Sequence, residues 1–518
     1  MSTVSNLSNA PTCVDHDQEN KDISSQAGEL EQGYNQNISE IMKLPKLPDR
    51  APFEVRFNGP KDLYDPYNYP LWRKLLYILS AALTIFAITF GSTIFAQGVE
   101  DLMRFHQISY AVASLTTSLF ILGFASAPII FGPVSELIGR KSVLIVCCFG
   151  YVCFTFGAAS ARDLQTIMFC RFFSGFVGGG PLIVAPSVLT DLFSQKHRAI
   201  ISIVSSLVFF SGSMFGAIVG GFVTANKSLG WRWNSYLSGV IGAVALFCSC
   251  VMLKETHRPT LLARKAQHLR RETGIWGIYA KQEAITFDWK AIATENAVKP
   301  ITLMITEPII LLFGLYNGFV YGMLYALLSI IPMVFQGGYR WRAGISQLPF
   351  LSMLLGVFVG GTILTYIRLS QNHKMSKANA SPIPKAELPP IIVGGIAFVI
   401  GILLIGWAGD YPHYIHWIIP IIGAFLIGNG IMSVYLGSMS YIYGCYESLA
   451  VFASVSCAFM RCAFGAAFPL FTRQMFSKLT IKWASVLLAG VGILLIAVPL
   501  VFYRVGDRVR RRSKYAKE

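Results

Sequence analysis

Long stretches of this chain carry no acidic residue. Only 14% of its 518 residues are charged, against 54% hydrophobic and 13% aromatic, whereas soluble domains are about one-quarter charged. Two or three soluble domains are thereby excluded, and an integral membrane protein remains. Metal-ligand spacing is missing as well: no Cys/His pattern fits zinc, and none of the eight His stands at a helical interval from another ligand. The ten cysteines do not form a disulfide framework, since Cys147, Cys148, Cys153, Cys170, Cys248, Cys250, Cys457 and Cys462 fall inside or at the ends of apolar runs. No nucleophile, base and orienting residue form a set, so neither an enzyme nor a cofactor is expected. The first 70 residues are polar, so no cleavable signal peptide is expected, and the first apolar run is expected to direct insertion itself.

The net charge of +16 could suggest nucleic acid, but the basic residues gather between and after the apolar runs, which points to orientation in a bilayer. A span needs about 20 apolar residues. On that criterion twelve start near Leu75, Ser109, Val143, Leu164, Ile200, Trp231, Pro308, Ile345, Pro390, His416, Leu449 and Trp483. With the N-terminus inside, the segments 140–141, 196–198, 254–302, 368–387 and 504–517 carry 2, 2, 9, 4 and 7 Lys/Arg. That makes 24 inside against 9 in the outer loops, so both termini are expected in the cytoplasm.

Residues 1–70 are rich in Asn, Ser, Gln and acid and are expected to be disordered. Residues 71–253 and 308–503 form two six-helix bundles, 254–307 a cytoplasmic linker and 504–518 a basic cytoplasmic tail. The linker run LLARKAQHLRRE (261–272) is amphipathic and is expected to lie on the inner membrane surface. Asn226 opens a sequon in a short outer loop, with little glycosylation expected, while Asn6, Asn37 and Asn379 should stay bare inside.

The break between the second and third spans reads GPVSELIGRK (132–141). Gly132 and Gly139 permit a tight turn, and Glu136 and Arg140 are spaced to pair with each other or with neighbouring charges. The plainer reading is an ordinary cytoplasmic turn. Arg171 lies some seven residues into the fourth span, where a charge costs roughly 2.5–3.5 kcal/mol, so it must face protein or water. Arg171, Gly175 and Gly178 fall on one helix face. Gly212, Gly216 and Gly220, followed by Gly221, make a smooth strip on the fifth span for close helix crossing. On the seventh span Asn317, Tyr321 and Tyr325 make a polar-aromatic stripe, either core packing or a face for flat and positively charged ligands. Asn429 in the tenth span is expected to add a hydrogen bond from the opposite bundle, and Arg461 is a second intramembrane cation, in the eleventh span.

Several of these stretches resemble one family. Gly-x-x-x-acid-x-x-Gly-Arg-Lys at 132–141 is similar to the signature loop of the major facilitator superfamily, and the run at Arg171 to its fourth-span Arg-x-x-x-Gly motif. GSMFGAIVGG (212–221) resembles the family's antiporter motif with Ala217 in place of proline, which removes an expected kink. Asp-Pro-x-Asn-x-Pro at 65–70 and FMRCAFGAAFPLFTRQMF at 459–476 resemble fungal polyamine, azole and cycloheximide exporters. The resemblance covers roughly residues 60–515. It implies an all-α fold of two six-helix bundles rocking about a central site. In it Gly132, Glu136, Gly139, Arg140 and Asp191 form a cytoplasmic latch, and Arg171 and Arg461 line a cavity or tune proton release. It further implies export of amphipathic or cationic organic compounds, polyamines among them, by proton antiport. The expected setting is a monomer in a fungal plasma membrane, or the vacuolar membrane as the alternative. A facilitator or symporter importing a nutrient or polyamine, and a transporter-derived sensor, stand as rivals. No Asp or Glu falls deep in a span; the closest are Glu136, Asp191, Glu307 and Glu447. That fits simple proton antiport poorly.

Overall fold

The structure is a computed structural model that describes residues 53–57, 59, 62, 64–193, 198–226, 228–284, 289–378, 384–513 and 515. Residues 1–52 of the acidic tail and the sequons at Asn6, Asn37 and Asn379 lie outside them. Pro66 opens a short 3₁₀ turn, Pro66–Asn68, Pro70 is extended, and helix begins directly after it, at Leu71. The membrane helices are α1 (Leu71–Ile94), α2 (Tyr110–Ile138), α3 (Arg140–Ser160), α4 (Leu164–Asp191), α5 (Arg198–Ala225) and α6 (Arg232–Met252). After residue 307 follow α7 (Pro308–Pro332), α8 (Pro349–Ala378), α9 (Leu388–Asp410) and α10 (Ile418–Cys445).

Eleven helices among the described residues are long and apolar enough to cross a membrane. The last, Ala450–Arg512, has 63 residues, about 95 Å at 1.5 Å per residue against a hydrocarbon layer of about 30 Å. It breaks at Thr480, whose φ of 62° and ψ of 164° are not helical, into α11 (450–479) and α12 (481–512). The twelve spans of the sequence reading are therefore present as helices, in an all-α membrane fold.

Local chemistry starts these helices. Ser109 caps α2 by accepting from Val112 N at 3.4 Å, and Asp163 caps α4 by accepting from Thr166 N at 2.8 Å. The Thr166 hydroxyl, which donates to Asp163 at 2.7 Å, and then the Thr166 N–H hold the Asp163 carboxyl below the usual carboxylate range. Pro308 takes the first turn of α7, where its missing N–H costs nothing.

Packing repeats in the two halves. In the first, α1 lies against α5 and α6, α2 against α4, and α3 against α4 and α6. In the second, α10 lies against α8 and α9, and the glycines of α7 pack on Met460, Phe464 and Phe468 of α11. The halves meet where α2 faces α11, with Ser118 Oγ donating to the Ala466 carbonyl at 2.6 Å, and where α5 faces α8. One apolar core runs through both, from Ile88, Phe120 and Phe210 to Phe313, Tyr325 and Phe398.

The part outside the membrane helices departs from the sequence expectation twice. The described residues between 53 and 68 form a compact unit with those between 261 and 284, so disorder does not extend to residue 70. Val55 N bonds the Tyr279 carbonyl at 3.0 Å, and Lys265 Nζ reaches Asp62 Oδ2 at 2.8 Å in a buried ion pair. The apolar side of the helix Arg258–Thr273 also has a partner other than the lipid surface. Ala266 and Leu269 pack with Phe53, Val55, Ile278 and Ala280, so the amphipathic period reports a small core of its own.

Candidate functional site

The site residues expected from sequence fall into three places. The first is the α2–α3 turn. Gly139 has φ 109° and ψ 157°, a backbone open essentially to glycine alone, and a Cβ there would collide with Glu255 Oε2. Glu255 is 4% exposed. Its carboxylate accepts from Arg140 N at 2.9 Å and Lys141 N at 3.3 Å, the first N–H groups of α3, and from the N–H of Thr256 and His257, both at 3.0 Å. A negative charge on otherwise orphan helix N–H groups is favourable by hydrogen bonding and by the helix dipole. The Arg140 guanidinium turns the other way, donating to Ser135 Oγ at 2.6 Å and pairing with Asp191 at 3.5 Å. Arg140 and Asp191 are thus brought together; Glu136 is exposed on the last turn of α2, and a Cβ at Gly132 would meet nothing. His257, buried beside this cluster, shares a 2.9 Å hydrogen bond with Thr260 Oγ1. Burial first, then the positive Arg140, push its pKa down to about 4.

The second place is the glycine face of α5. A Cβ at Gly212, Gly216 or Gly220 would stand 2.7, 2.5 and 2.7 Å from the carbonyls of Phe86, Phe90 and Ile94, so these three seat α5 against α1. Gly221 faces elsewhere, toward the Gln347 side chain of the second half. Beside the strip, Thr93 Oγ1 donates to the Ser213 carbonyl at 2.6 Å.

The third place is the centre. Arg171 is 2% exposed and its guanidinium lies over two rings, Phe95 at 4.4 Å and Phe120 at 4.3 Å, while Nη1 donates to the Gly91 carbonyl at 3.3 Å. Two desolvated cation–π contacts of about 2 kcal/mol each offset a membrane-insertion cost of roughly 3 kcal/mol. Gly175 lets α2 close over this arginine, since a Cβ would strike the Phe120 carbonyl. Arg461 sits among the rings of Phe209, Tyr321 and Tyr435, at 5.4, 5.1 and 5.1 Å. Of the two rings that the sequence reading held open for a positive ligand, that of Tyr321 thus carries the protein's own guanidinium. Between the arginines stand Tyr321 and Tyr325, their hydroxyls 3.3 Å apart, and Tyr325 donates to Ser92 Oγ across the halves at 3.0 Å.

Two members of the expected cavity stay outside this cluster. Asn317 donates to the Phe313 carbonyl of its own helix at 3.0 Å. Asn429 lies in the same half as α7 rather than the opposite one, accepts from Ser433 at 3.2 Å and packs at the crossing with α8; the tenth span never faces α7 from across the centre.

Contacts close the centre toward the ends named as outer from sequence. Glu100 pairs with Arg473 at 2.9 Å, Gln347 Nε2 donates to Gln97 Oε1 at 2.9 Å, and the Tyr110 and Ser329 hydroxyls lie 3.1 Å apart. At the other end the helix Trp289–Thr306 packs on α2 and α11. The carboxylates near the helix ends are engaged there. Glu307 accepts from Tyr446 at 2.6 Å and Ser513 at 2.9 Å, and Glu387 meets Arg368 at 3.6 Å.

Sequence reasoning missed Glu255, Phe209, Tyr435 and Ser92. An acid directly after the sixth span was visible, but nothing in the order of residues joins it to a turn 115 positions earlier.

The sequence matches the Major Facilitator Superfamily over residues 79–455. It is 47% identical over 472 residues, covering 91% of this chain and 77% of the relative, to the major facilitator superfamily multidrug transporter FLU1 of Candida albicans. It is 34% identical to the efflux pump bik6 of Gibberella fujikuroi, with 89% of this chain and 95% of that one covered. Among solved structures, the xylose transporter XylE of E. coli in a partially occluded inward-open conformation superposes with a TM-score of 0.58 at 14% identity, covering 84% of this chain and 98% of that one.

Proposed function

Because the chain belongs to the major facilitator superfamily, we propose that it exports amphipathic organic compounds by alternating access, driven by the proton gradient. The observation that carries this reading is the buried arginine–tyrosine cluster at the junction of the halves, together with relatives named multidrug transporter and efflux pump. Tyr321 and Tyr325 are 3% and 1% exposed, so a compound reaches them only when the contacts at one end part. The two sets of end contacts are then alternating gates. The charge bias supports cytoplasmic termini, with the plasma membrane proposed as the setting and the monomer as the working unit. Expression in a drug-sensitive yeast, with efflux followed before and after an uncoupler, tests the proposal. Resistance with uncoupler-sensitive efflux is expected; efflux indifferent to the uncoupler refutes proton coupling, and net uptake refutes export.

A further inference from the structure

Among the described residues, Arg171 and Arg461 are the only Lys or Arg deep in an apolar run, and no Asp or Glu is. The centre therefore holds two permanent positive charges and no carboxylate. Nor are the guanidiniums saturated: Nε and Nη2 of Arg171 and Nε of Arg461 are buried without a hydrogen-bond partner. The two arginines come from different halves and flank one connected group. Gly91, which accepts from Arg171, is followed by Ser92, which accepts from Tyr325; Tyr325 meets Tyr321, and the Tyr321 ring lies under Arg461.

We propose that this cluster is an anion site, and that the exported compounds are organic anions whose carboxylate or sulfonate accepts from the free guanidinium N–H groups. This rests on the export reading and narrows its substrate class. A guanidinium presents a planar fork that matches such groups, and arginine keeps its charge at any physiological pH. A cation fits badly: the ring faces it would seek already hold Arg461. At about 6 Å and an effective dielectric near 20, repulsion from that charge weakens its binding roughly 100-fold.

Two xanthene dyes of similar shape and opposite charge separate these outcomes: carboxyfluorescein, an anion, and rhodamine 6G, a cation. In proteoliposomes with a proton gradient, wild type is expected to carry carboxyfluorescein at least tenfold faster. Arg461→Glu should shift the ratio of the two rates toward rhodamine 6G by tenfold or more. Equilibrium binding to the purified wild-type protein needs no variant; carboxyfluorescein should bind at least tenfold tighter. Equal affinities, a preference for rhodamine 6G, or a ratio unmoved by Arg461→Glu overturn the proposal. Uncharged cycloheximide is run on wild type in parallel. If it is exported and the anionic dye is not, the anion site fails while export stands; if nothing is exported, the export reading fails and takes the anion site with it.

Discussion

Removing the Glu255 carboxylate should loosen the α2–α3 turn by an amount that its bonds allow to be stated. Two of its four backbone partners, the N–H groups of Arg140 and Lys141, start α3 and sit against a side chain that is 4% exposed. A bond to a charged acceptor is worth about 1.5 kcal/mol or more, so Glu255→Ala should cost about 3 kcal/mol, roughly a hundredfold in the unfolding equilibrium. Glu255→Gln keeps one acceptor oxygen and loses the charge, and should cost about half of that. Gly139 supplies the internal check. Gly139→Ala forces φ 109° on a residue with a side chain, for about 1–3 kcal/mol, and adds a collision with Glu255 Oε2. When Glu255 is already alanine the collision is gone and only the backbone strain is left. The double variant should therefore fall short of the summed single losses by about 1–2 kcal/mol. Denaturant unfolding in mixed micelles, read by tryptophan fluorescence, measures wild type and the four variants. A Glu255→Ala protein within about 0.5 kcal/mol of wild type, or strict additivity with Gly139→Ala, would refute the reasoning.

Arg171→Ala should abolish efflux while the protein still reaches the membrane, and Arg171→Lys should lose at least tenfold, because a compact ammonium lacks the delocalised guanidinium that meets both the Phe95 and the Phe120 ring; efflux and surface biotinylation read the two effects apart. Ala217→Pro should leave export intact or improve it: the Ser213 carbonyl that loses its helix N–H already accepts the Thr93 hydroxyl, and a stalled carrier in the drug-efflux assay would count against this. His257 titrates near 4 in the fold instead of near 6.5, so the fold prefers the neutral ring. Its stability is complete above pH 6.5 and drains away as pH falls toward 4, by about 2 kcal/mol at pH 5. Melting at pH 7.5 and 5.0 should show a larger drop for wild type than for His257→Gln, and equal drops would exclude His257 as the cause.

How far the residues can be read ahead of the coordinates depends on whether the bilayer or a neighbouring helix decides. Span length and the inward placement of Arg171 and Arg461 were legible in order and composition, because lipid offers a backbone or a guanidinium no partner and so dictates helix and inward placement by itself. The glycines at 212, 216 and 220 were legible as a close crossing for the same kind of reason: a missing side chain every four residues has few other uses. What faces each group was settled by tertiary contact alone. Glu255 reaches Arg140 from 115 residues away, and Arg461 finds a ring from α5 as well as from α7 and α10. Asn429 stays in its own half, and the apolar side of Arg258–Thr273 covers Phe53 and Val55 where the sequence pattern alone suggested lipid. An apolar stripe states that something must cover it, and only the packed chain states what, since contact energy depends on the surface presented and not on its position along the polymer.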